Sequence, residues 1–136
     1  MSFCIGWLTS NSLDSLFMGR ISRRKDIDTA TVTLTDVGIS VTSSNADGES
    51  TIEVINWAKI EKVIAYKRDC YGFDLMCLAV GGAENAFEIT EEMQGWNELL
   101  DRAPDYLPEW QRKSDWYQEV IRPAFKENRT IIFSRP

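Results

Sequence analysis

Thr31-Val32-Thr33-Leu34-Thr35 alternates apolar and polar residues with period two and is rich in β-branched side chains. That is the pattern of a half-buried strand. Asp36-Val37-Gly38 reads as a tight turn, after which Ile39 and Val41 alternate with Ser40 and Thr42. Asn45-Ala46-Asp47-Gly48 has the chemistry of a polar hairpin tip. Ile52 and Val54 predict a third strand with Glu53 facing water. Trp57 and Ile60 have the spacing of one helical turn, and strand character returns from Val63 to Arg68. The nearly continuous apolar run from Phe73 to Val80 is expected of a central strand. Gly81-Gly82 then turns the chain, and Phe87 and Ile89 flank Glu88 in a sixth strand.

The period changes after Thr90. Met93, Trp96, Leu99 and Leu100 share one helical face, so a helix is expected over 91–103. Thr90 reads as its N-cap, and Glu91 and Glu92 sit where the helix dipole favours negative charge. Pro104 should end it. Residues 104–113 read as a connection. Ser114 reads as a second N-cap before the stripe of Trp116, Val120 and Ile121, and Pro123 should kink or restart that helix. Thr130 to Phe133 reads as a terminal strand. In residues 1–29, Phe3, Ile5 and Trp7 fit a short strand, and Leu13, Leu16 and Phe17 fit an apolar helical face or an anchoring loop.

Antiparallel strands followed by helices make an α+β fold rather than a βαβ one. The expected architecture is an antiparallel β-barrel or sandwich closed by a helix, plus a second short helix and a terminal strand. The chain reads as a single domain, 1–136. Within it, 30–103 form the barrel and its capping helix, and 104–136 form a C-terminal extension.

The 136 residues are 43% hydrophobic and 26% charged, the composition of a folded globular chain. A domain of this size buries roughly two thirds of its unfolded surface, so no metal or disulfide staple is required. Net charge is −6, which repels phosphate backbones and weighs against nucleic-acid and anionic-membrane partners. The basic stretch Arg20, Arg23, Arg24 and Lys25 is diluted at once by Asp26 and Asp28. No run approaches the roughly 18 apolar residues of a membrane-spanning helix, and the start lacks the basic region of a signal peptide. A cytoplasmic location is the expectation.

The chain contains no histidine, which excludes the commonest general base and the commonest zinc ligand. Cys4, Cys70 and Cys77 show no ligand spacing, and they read as free structural thiols. No phosphate-cradling loop, dinucleotide fingerprint or nucleophile elbow is present. The expectation is therefore no metal, no cofactor and no catalytic residue. Asp69 and Asp74 flank Tyr71-Gly72-Phe73 and read as a solvated hairpin tip. The competing enzyme reading would have them converge on a pocket.

Ile52-Glu53-Val54-Ile55-Asn56-Trp57-Ala58-Lys59-Ile60-Glu61-Lys62-Val63 resembles a feature of pleckstrin-homology-like (PH-like) domains, in which a strand passes an aromatic and a short turn into the next strand. The helix carrying Met93, Trp96 and Leu99 resembles the helix that caps such a barrel. The resemblance spans roughly residues 30–103, and the long N-terminus and the second helix depart from it. Ala65 to Asp69, Gly95-Trp96, and Pro123-Ala124-Phe125 with Asn128 resemble a small family of bacterial proteins, a likeness that supplies no activity. A PH-like domain implies either a protein-interaction module or a lipid- or small-ligand-binding one.

Tyr66-Lys67-Arg68-Asp69 is the segment with most binding chemistry. On a strand, Tyr66 and Arg68 project to one face and Lys67 to the other. Tyr and Arg are enriched at binding hot spots; an edge strand protected by charge is the structural alternative. Trp110 lies in a proline-containing connection, and if exposed there it would mark a recognition surface. Trp116 reads as core, and Asn128 as a helix end. Tyr66, Lys67, Arg68, Asp69 and Trp110 are therefore the candidate partner-binding residues. The expected function is a non-enzymatic adaptor or immunity-type protein, with a protein rather than a lipid as its partner.

Overall fold

The computed structural model describes residues 21–22, 27–69, 74–82, 86–122 and 129–135. In chain order the elements are β1 (Ile21–Ser22), β2 (Ile27–Leu34), β3 (Gly38–Asn45), β4 (Ser50–Asn56), a 3-10 turn (Trp57–Lys59), β5 (Lys62–Asp69), β6 (Asp74–Gly81), β7 (Ala86–Thr90), α1 (Trp96–Tyr106), α2 (Lys113–Ile121) and β8 (Arg129–Ser134). The fold is α+β. One sheet has the order β1-β7-β6-β5-β8 and the other β2-β3-β4. All pairings are antiparallel except that of β1, which lies parallel to β7 and was not foreseen.

Local chemistry sets the hairpins of the smaller sheet. Thr35 Oγ1 accepts from the Val37 and Gly38 amides at 3.2 Å each, closing the β2–β3 turn. Gly38 is required there, because an added Cβ would strike the Ile55 carbonyl oxygen on β4. At the next tip Asn45 Oδ1 accepts from the Asp47 and Glu49 amides at 3.0 Å, and Gly48 takes φ +85°.

The sheets do not close into a barrel. The Trp57–Lys59 turn carries the chain from one sheet to the other, with Trp57 Nε1 donating to the Thr35 carbonyl at 2.8 Å. Beyond the named strands the smaller sheet has an isolated parallel bridge, Thr31 to Gln94. Between the sheets lies one core. Val32, Ile39, Val41 and Ile55 face Val63, Met76, Leu78, Val80, Phe87 and Ile89, with Trp96, Leu99 and Leu100 of α1 and Trp116 and Val120 of α2 in the same cluster. The other face of the larger sheet carries a second buried cluster, Ile64, Tyr66, Leu75, Cys77, Ala79 and Ala86. β6 is thus buried on both faces, which explains its unbroken apolar run.

Three expectations are corrected. First, α1 begins at Trp96 rather than after Thr90. Glu91 is tied to Met76 by its amide and by its carboxylate, each at 3.0 Å, and Gln94 is tied to Ala30 and Val32. Residues 91–95 are thereby held to the sheets, and Gly95 at φ +93° turns the chain into the helix. The helix then runs past Pro104 to Tyr106. Second, α2 starts at Lys113, so Ser114 lies inside it and the cap position is Arg112, with no side-chain cap bond.

Third, β4 has the opposite phase. Ile55 and Trp57 face the core, and with period two this turns Glu53 inward and leaves Ile52 and Val54 64% and 59% exposed. Val41 opposite Glu53, and Ile39 opposite Ile55, fix the same phase from β3. The readings of Phe3 to Phe17, the basic stretch at Arg20–Lys25, Cys4, Cys70, Pro123 and Asn128 lie outside the described residues. No helix among the described residues is long and apolar enough to cross a membrane.

Candidate functional site: the Arg68 cleft

β5, β6 and β7 lie side by side, with Tyr66 opposite Cys77, Arg68 opposite Leu75, and Glu88 opposite Ala79. Tyr66 and Arg68 share a face, as their spacing predicts, and Glu88 projects from β7 on that face. β5 and β7 are two strand spacings apart, roughly 9.6 Å. Only long side chains bridge that gap, and the small Cys77 and Ala79 of β6 leave them room. The Tyr66 hydroxyl donates to Glu88 Oε2, and Arg68 Nη2 donates to Glu88 Oε1 at 3.1 Å. Tyr66 is 4% exposed and Glu88 5%, whereas the Arg68 side chain is 33% exposed.

Arg68 and Glu88 line a cleft of about 630 Å³. Leu75 and Thr90 complete its wall on the larger sheet, Thr29, Ala30 and Thr31 of β2 form the facing wall, and Glu92, Met93 and Gln94 close one end. Thr31 Oγ1 donates to Gln94 Oε1 at 3.4 Å across that end. The cleft therefore exists because residues 91–94 cross from one sheet to the other instead of coiling into the helix.

The other candidates separate from it. Lys67 projects to the opposite face and is 1% exposed. Its ammonium donates to the Ile121 carbonyl at the end of α2, at 2.9 Å, and pairs with Asp74 at 3.4 Å. Asp74 thus meets Lys67 rather than a pocket. Tyr66 and Lys67, candidates for a partner surface, are thus buried at 4% and 1% exposure, whereas Arg68 on the same strand reaches the cleft. The backbone of Asp69 ends β5 opposite Asp74, and its side chain lies outside the described residues.

Trp110 is also corrected. It is 1% exposed, edge-on to Trp57 at 6.5 Å and tilted against Phe133 at 6.3 Å. The connection that carries it folds under the core, anchored by Gln111 N donating to Ile132 O at 2.9 Å. Trp116 is core, as expected.

Sequence reading missed Glu88, Glu92, Thr29 and Thr31. Glu88 sits between Phe87 and Ile89, so alternation puts it on the face opposite theirs, and that face is the second buried one. Among the described residues no group of three potential ligand side chains stands close enough to hold a metal. No family model, curated protein or solved structure matches the chain.

Proposed function

We propose that this protein is a non-enzymatic, cytoplasmic interaction module on a PH-like sandwich, holding a segment of a partner protein in the Arg68 cleft. The observation that carries this reading is the guanidinium fixed in advance. Arg68 is held by Glu88, Glu88 by Tyr66, and a third of Arg68 faces the cleft. A planar donor fork already ordered loses less rotamer freedom when a ligand arrives.

The lining favours polypeptide. Arg68 donates, Glu92 accepts, the threonines do either, and Leu75 and Met93 offer apolar contact. Phosphate fits less well, because Arg68 shares the cleft with Glu88 and Glu92, and the whole chain carries −6. A protein partner is favoured over nucleic acid or a lipid headgroup on that ground, and an immunity-type role toward a basic partner agrees with it. Both oxygens of Glu88 already accept hydrogen bonds, so the carboxylate braces Arg68 rather than offering itself as a general base. This ranks the enzyme reading second.

The test begins with a random peptide library selected on the wild-type protein. An enriched peptide is expected to bind Arg68→Gln and Thr29→Arg at least tenfold more weakly, with the thermal midpoints of both variants unchanged. Enriched peptides that bind both variants as tightly as wild type would refute the assignment.

A further inference from the structure

β4 turns its apolar side chains the wrong way for a strand of a packed sheet. Ile52 and Val54 are 64% and 59% exposed, and their neighbours across β3 are Thr42 and Ser40. The strand is also the last in its sheet among the described residues. Edge strands of stable proteins are commonly guarded by Lys, Pro, a bulge, brevity or an inward-pointing charge, and of these β4 has the last, in Glu53. β4 has seven residues, no Lys, no Pro, and an unbroken register with β3 from Asn56 to Ser50. Its features are those of a template for one more strand.

We infer that β4 is the docking strand for an extended basic segment of a partner protein, which adds antiparallel to it. Apolar residues of the incoming strand cover Ile52 and Val54, and its basic residues lie toward Asp47 and Glu49 at the hairpin tip. Charge selects this occupant. The strand follows Asp47 and Glu49 of the hairpin tip, and the chain carries −6. A second copy is disfavoured by the same features. Each copy carries −6 and brings its own Asp47 and Glu49 to the hairpin tip, so two copies repel. The inference is separate from the Arg68 cleft, and the variants below separate the two.

The probe is a fluorescein-labelled seven-residue peptide alternating lysine and valine. Its controls are the glutamate–valine counterpart and the lysine–valine peptide N-methylated at alternate residues, which cannot complete a ladder. Wild type and Arg68→Gln are expected to bind the lysine–valine peptide equally, and both controls at least tenfold more weakly. Ile52→Lys with Val54→Lys should lose the same tenfold while keeping the wild-type thermal midpoint, since both side chains stand in water. Equal binding of the N-methylated peptide, or retention by the double variant, overturns the inference. So does a wild-type dimer in sedimentation that Ile52→Lys with Val54→Lys turns into monomers, because β4 would then be covered by its own copy.

Discussion

Replacing Lys67 by Met tests whether the ammonium buried beneath α2 holds that helix to the sheet. The side chain is 1% exposed, so Met keeps the packing of the stem and removes only the charge and its bonds. The interactions lost include the 2.9 Å bond to the Ile121 carbonyl and the 3.4 Å pair with Asp74. A hydrogen bond from a charged donor contributes about 1.5–3 kcal/mol. Removing one partner of a buried ion pair costs about 3–5 kcal/mol. Asp74 is 18% exposed and water softens its loss, so the expected destabilisation is about 3 kcal/mol rather than the sum. Adding Asp74→Leu removes the stranded carboxylate, and pairs replaced by apolar groups are often neutral. The double variant is expected to recover about 2 kcal/mol and to keep a deficit of about 1 kcal/mol for the uncapped Ile121 carbonyl. Urea unfolding followed by tryptophan fluorescence measures all three, with an unchanged slope required for the comparison. A loss under about 1 kcal/mol for Lys67→Met would show that the ammonium does not hold α2.

Two further variants probe the frame around the cleft. Trp96→Ala empties the first turn of α1 at a position 5% exposed, and equilibrium unfolding should show a loss of about 3–5 kcal/mol. Gly95→Ala forces an L side chain into φ +93° and drives a Cβ toward the Val32 carbonyl oxygen, so it should destabilise by at least about 1–3 kcal/mol despite its small size. A Gly95→Ala variant as stable as wild type would mean that residues 91–95 need not cross between the sheets as described.

The strands β2 to β7 were legible because most alternate with period two, β6 is a continuous apolar run, and the turns at Thr35–Gly38 and Asn45–Gly48 are marked by side chains that close them. The start of α1 was not legible. Thr90, Glu91 and Glu92 have every local feature of a helix start, but Glu91 bonds instead to Met76, on a neighbouring strand far off in sequence. Local propensity lost there to a tertiary bond that no window of sequence displays. The candidate site was half legible. Tyr66 and Arg68 were placed on one face, but Glu88, the carboxylate that joins them, was not singled out.

The errors of exposure on the strands have one physical source. Alternation reports that neighbouring residues point to opposite faces, and it says nothing about which face meets water. Along β5 neither does, so Tyr66 and Lys67 with their polar tips read as a surface, and their burial demands the internal partners found for them. Along β4 the ambiguity runs the other way. An apolar phase of Ile52 and Val54 looked like the core, but Ile55 and Trp57 hold the opposite phase and occupy it. The register set by the Asn45 turn decides between the two, since slipping by one residue would exchange the faces of the whole strand. A fold that keeps Ile55 and Trp57 inside must therefore leave Ile52 and Val54 in water. That exposure contributes nothing to the stability of the isolated chain, which makes β4, together with the Arg68 cleft, a place where a partner has something to gain.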